Sequence, residues 1–167
     1  MERQFVLRCG GFGLLAGLLS FIFARLWAEP ITGRAIDYES GRDEAQEALD
    51  KAAGIATGGD ETELFSRTIQ STVGIGTGMV LMGLALGLLY AVVFSLYLRY
   101  AKPTNIRGAA IGVAAAMFAC LYVVPCVKYP SNPPAVGNPD TIKQRTWLFL
   151  TMIVASVVVM IGVVFLH

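Results

Sequence analysis

Three stretches of this chain, residues 68–98, 108–127 and 146–166, contain no Asp, Glu, Lys, Arg or His. Each reaches the roughly 20 residues a helix needs to cross a hydrocarbon core about 30 Å thick. In that medium every backbone N–H and C=O must be satisfied within the segment, which leaves the helix as the form such a run can take. With 55% hydrophobic and only 15% charged residues, the chain also lacks the polar surface to wrap these runs inside a soluble domain. The implied fold class is an all-α integral membrane protein.

A fourth run, residues 5–27, has Arg8 and Arg25 near its ends, where long side chains snorkel to the headgroups. A cleaved leader is the competing reading, with Arg3 and Arg8 as its basic region and 10–23 as its apolar one. Leu26-Trp27-Ala28 is a poor small-residue cleavage site, which favours a retained span. The expected organisation is one polytopic domain, 1–167, with about four spans at 5–27, 73–97, 108–127 and 147–166. Tyr97, Arg99, Tyr100, Lys128, Tyr129, Arg145 and Trp147 mark the expected interfaces. The expected location is the inner (plasma) membrane, as a multi-pass protein with the lipid bilayer as its first partner.

Glycines recur four apart, at Gly13 and Gly17, Gly83 and Gly87, and Gly108 and Gly112. Apolar burial gives little drive between helices in lipid, so small residues that let backbones approach are the usual means of packing. These faces suit a tight bundle and a homo- or hetero-oligomer.

The connectors differ in character. Residues 28–72 carry ten of the twelve acidic residues and read as partly helical. Ser40 with Asp43 suggests a cap, Glu47 and Lys51 pair at i,i+4, and Gly58-Gly59 suggest a stop. Asp60 with Glu63 suggests the cap of a second helix leading to Arg67 and Gln70. The other connector, 128–145, is rich in proline: five of the chain's seven prolines lie between Pro125 and Pro139. Proline fixes φ and removes a donor, so this link is built to hold one shape. Basic residues divide nearly evenly between the two sides, and cytoplasmic termini are the preferred orientation, with both connectors on the outer face.

Several functions are excluded. There is no phosphate-binding G-x-x-x-x-G-K-[ST] loop, and the single histidine, His167, serves neither a catalytic triad nor a His-x-x-x-His zinc site. A net charge of +1 offers no field for nucleic acid. The expectation is therefore no enzyme and no resident cofactor. Carboxylates suit hard cations, and Glu29, Asp37 and Glu39 lie nearest the membrane. Asn132 and Asp140 supply further oxygens in the proline-rich link. Solvated helix faces are the plainer reading of the acids, and packing the plainer reading of Cys120, Cys126 and the methionines.

The stretch KYPSNPPAVGNPDTIKQRT resembles the signature of the CbtA family, predicted cobalt transporter subunits of bacteria. FARLWAEPITGRAIDYE and SRTIQSTVGIGTGMVLMGLALGLLYAVVF are also similar to that family. The signature positions on this chain are Lys128, Tyr129, Pro130, Asn132, Pro133, Pro134, Asp140, Thr141 and Arg145. Glu29, Arg34, Ile36, Arg67 and Gln70 match outside it. Two features depart: Asn138 stands where the family commonly has an acid, and members usually continue to at least one further span. The resemblance implies a membrane subunit of a cobalt (divalent cation) uptake system supplying cobalamin synthesis. It also implies a small, single-span CbtB-like partner, with the cobalt ion as transported substrate. The alternative is a non-transporting scaffold or accessory subunit that assembles a larger complex through its glycine faces.

Overall fold

The computed structural model describes residues 2–55, 66–129 and 141–166. Among these every regular element is helical. Helix α1 (Glu2–Phe23) leads through a wide turn at Ala24–Ala28 into α2 (Glu29–Ala52). A short α3 (Arg67–Ile69) leads through a second wide turn, Gln70–Gly74, into α4 (Ile75–Ala101). Helix α5 (Ile106–Phe118) is joined by a third, Ala119–Val123, to α6 (Val124–Lys128), and α7 (Ile142–Leu166) follows. The stretches Arg3–Ala52, Arg67–Ala101, Ile106–Lys128 and Ile142–Val163 are each long and apolar enough to cross a membrane.

The wide turns have a local cause in two of the three cases. Each is a π turn, in which an N–H reaches five residues back: Glu29 N–H to the Ala24 carbonyl, and Val124 N–H to the Ala119 carbonyl. Pro30 and Pro125 follow directly. A proline ring collides with the carbonyl four residues earlier in a regular helix, and an extra residue in the turn makes room for it. Pro30 thus stands in the first turn of α2 without ending the helical course. This corrects the sequence reading of the acidic connector, in which a separate helix starts at a Ser40 cap. Ser40 lies inside α2, and its hydroxyl donates to the Ile36 carbonyl at 3.0 Å.

The helix also ends earlier than Gly58-Gly59. Gly54, at φ +71°, adopts the left-handed conformation that closes a helix, while Gly54 N–H and Ile55 N–H reach the Lys51 and Asp50 carbonyls. The Glu47–Lys51 pair is present at 3.3 Å. Gly58, Gly59, Asp60, Glu61 and Glu63 lie outside the described residues.

Packing divides the described residues into two compact units. In the unit built on residues 12–85, α1 and α4 approach until backbone meets backbone. A Cβ added to Gly17 would lie 2.5 Å from the Met79 carbonyl oxygen and 2.8 Å from Val80 Cα. One added to Gly83 would collide with the Gly13 carbonyl oxygen. Phe21 closes over Gly76.

In the other unit, Tyr90 stacks on Phe94 with ring centres 5.6 Å apart and donates its hydroxyl to the Ala110 carbonyl at 3.1 Å. Asn105 caps α5 by accepting the Gly108 N–H at 3.0 Å. Taken over both units, few of the described residues are buried: the side chains of Ala24, Ala91, Phe94, Val113, Cys120, Ser71 and Pro125, together with Gly10, Gly13 and Gly17. Many Leu, Val, Ile and Phe side chains point outward, as a lipid solvent permits and water does not.

Candidate functional site

The site begins where α1 gives way to α2. Glu29, at the first position after the π turn, has a largely buried side chain, 14% exposed, and holds a basic group on each carboxylate oxygen. Arg25 Nη1 lies 3.2 Å from Oε2, one helical turn back. Arg67 Nη2 lies 3.1 Å from Oε1 and comes from α3, 38 residues away in sequence. Each of the paired helices is widened beside the cluster, at Ala24–Ala28 and at Gln70–Gly74. Such insertions commonly mark working positions in helices. The neighbouring Arg34 turns its Nε back to the Pro30 carbonyl at 3.1 Å.

This arrangement sets what Glu29 can do. Two guanidinium groups against one carboxylate leave the cluster with an excess of positive charge. The carboxylate acts as a bridge between Arg25, one turn back, and Arg67 of α3. Asp37 and Glu39 lie further along α2, exposed and half-buried respectively. Being two residues apart on a helix, they point to roughly opposite sides. The structure thus joins Glu29 to Arg25 and Arg67 and does not gather it with Asp37 and Glu39.

Among the described residues no group of three or more His, Cys, Asp or Glu side chains converges on a point that could hold a metal ion. Asn132 and Asp140 lie outside the described residues, as do Pro130, Pro133, Pro134 and Asn138. Of the remaining signature positions, Lys128 ends α6 and is exposed. Tyr129 closes that helix, its N–H donating to the Pro125 carbonyl at 2.8 Å. Thr141 and Arg145, at the start of α7, are half-buried.

Sequence reasoning missed Arg25 and Arg67 as partners of Glu29. The i,i+4 spacing of Arg25 and Glu29 was a usable signal. The reach from Arg67 has no local signal. Also missed was a polar contact between the third and fourth membrane-length stretches: the Ser156 hydroxyl lies 2.8 Å from the Cys120 carbonyl, and Cys120 Sγ lies 3.5 Å from the Ser156 carbonyl.

Among the described residues, four membrane-length helices, the lack of any strand and an ion-paired polar cluster beside a π turn define an all-α, multi-pass membrane protein. A family model described as a probable cobalt transporter subunit, CbtA, matches residues 2–167. The chain belongs to that family, as the resemblance in its proline-rich stretch implies. No curated protein and no solved structure matches it.

Proposed function

We propose that this protein is the membrane subunit of a cobalt uptake system that supplies cobalamin synthesis, working in the inner (plasma) membrane as one polytopic domain. The observation that carries the reading is the match of the whole chain to a family of probable cobalt transporter subunits. The Glu29 cluster supplies a chemical step for it. Asp37 and Glu39 raise the local concentration of the divalent cation, and Glu29 then exchanges an arginine for it. Asn132 and Asp140, in the proline-rich link, offer oxygen ligands at the entrance. A small CbtB-like membrane protein is the partner this reading calls for. The chain carries out no enzymatic chemistry of its own.

The test is uptake of radioactive cobalt by cells expressing the wild type, Glu29→Gln or Asp140→Asn at matched membrane levels. Both variants are expected to lose most of the cobalt-dependent signal, and uptake equal to wild type in both would refute these roles. The scaffold reading keeps one observation in its favour, the open space around Gly112, where no atom lies within 4 Å of an added Cβ. Purification in mild detergent separates the readings: a stable assembly with unrelated proteins would favour the scaffold.

A further inference from the structure

The first and third membrane-length stretches carry the same sequence pattern at one constant shift. Gly13, Gly17, Phe23, Ala24, Leu26 and Pro30 recur as Gly108, Gly112, Phe118, Ala119, Leu121 and Pro125, and the aromatic Trp27 recurs as Tyr122. The structure repeats with the sequence. The π turn falls at Ala24–Ala28 in one copy and at Ala119–Val123 in the other, in the same register to the proline. Phe23 stacks on Trp27 with ring centres 5.2 Å apart, and Phe118 on Tyr122 at 5.4 Å, both inclined by 24°.

Each turn also leaves carbonyls without their usual backbone donor. Glu29 N–H answers Ala24, and Val124 N–H answers Ala119. In that register the next carbonyls, those of Arg25 and Cys120, would be answered by residues 30 and 125, which are prolines with no N–H. In the second copy a serine of the facing helix supplies the donor. The Ser156 hydroxyl is shared between the Cys120 carbonyl and its own helix's Ile153 carbonyl, 2.8 Å from each.

In the first copy the register that pairs Gly13 with Gly83 and Glu29 with Arg67 puts Ser71 opposite Arg25. Ser71 is buried, and its hydroxyl rests on the Thr68 carbonyl at 3.3 Å, the same backbone position relative to itself that Ser156 uses. The two copies therefore hold the same parts in different hydrogen-bond states.

We propose that the chain is a tandem duplication of one two-helix unit, and that in each copy a serine of the second helix latches the carbonyl its proline leaves unanswered. The latch is closed at Ser156–Cys120 and open at Ser71–Arg25. Helices interrupted at corresponding points of two repeats are the arrangement in which membrane transporters place their moving parts and substrate path. The latch state sets how freely each helix bends at its π turn, so the first copy is the looser hinge. The inference rests on the repeat and the hydrogen bonds, whichever cargo the protein carries.

Spin-label pairs at equivalent positions, 16 and 32 in the first copy and 111 and 127 in the second, test it by pulsed dipolar spectroscopy. The full chain is used in lipid nanodiscs, with Cys9, Cys120 and Cys126 replaced by alanine. The 16–32 distance distribution is expected to be broader than the 111–127 distribution. Ser156→Ala should broaden the latter to about the width of the former, whereas Ser156→Thr, which keeps the hydroxyl, should leave it unchanged. Pro30→Ala restores the missing N–H and should narrow 16–32 to about the width of 111–127. Equal widths in the unsubstituted pairs would overturn the proposal, as would an unchanged 16–32 width in Pro30→Ala. If Ser156→Ala does not fold, the proline variant decides the matter.

Discussion

Two glycine-to-alanine changes, identical in chemistry, should shift stability in opposite directions. At Gly17 the added methyl would lie 2.5 Å from the Met79 carbonyl oxygen, whereas ordinary contact begins near 3.4 Å. Backbone bounds the site on both sides, so α1 and α4 must separate by about 0.9 Å, and the close contacts around Gly13 and Gly83 loosen with them. Overpacking of this kind costs about 1–3 kcal/mol. Relief of glycine's excess backbone entropy offsets about 0.5–1 kcal/mol of that. The net expectation for Gly17→Ala is a loss of up to about 2.5 kcal/mol, centred slightly above 1. At Gly112 nothing lies within 4 Å of the new methyl, so only the entropic gain remains, about 0.5–1 kcal/mol of stabilisation. Thermal unfolding in mild detergent, in chains with Cys9 and Cys126 replaced by alanine and followed with a thiol-reactive fluorophore that reports exposure of the buried Cys120, reads both. At about 2–4 °C per kcal/mol for a chain of this size, the two midpoints should part by several degrees around the wild type. Equal shifts in the same direction would refute the close approach of α1 to α4.

Three further outcomes follow from other contacts. A double-mutant cycle of Glu29→Gln and Arg67→Gln should return a coupling of no more than about 1 kcal/mol, because Arg67 is over a third exposed, and high salt should reduce it. Asn105→Ala removes the cap of α5 and should cost about 1 kcal/mol in the same unfolding assay, with faster amide exchange in the first turn of that helix. Loss of cobalt uptake in Glu29→Gln and Asp140→Asn, measured against matched membrane levels, remains the functional counterpart of these structural tests.

The helices were legible in the sequence because lipid is a demanding solvent. A run of twenty uncharged residues has one structural outcome there, although the first helical stretch runs on through charged residues to Ala52. The i,i+4 pair of Glu47 and Lys51 was legible for the same kind of reason, since helical spacing alone brings the two together. The glycine pair at Gly13 and Gly17 announced a close approach but not its target. Ser40 misled because an N-cap sequence and a mid-helix serine donating to the carbonyl four residues back use the same residue. Only the continuity of α2 through Pro30 tells them apart.

Sequence by itself therefore determined the solvent, the helical class and the family of this protein, since each depends on composition and order along the chain. Tertiary structure alone decided that Glu29 is shared by Arg25 and Arg67, that Met79 and Val80 fill the space beside Gly17, and that Ser156 answers the Cys120 carbonyl. Except for Arg25, one helical turn from Glu29, these partners lie on different helices, in one case 38 residues apart. Such pairings are set by how close two backbones come, and that distance is a property of the packed chain.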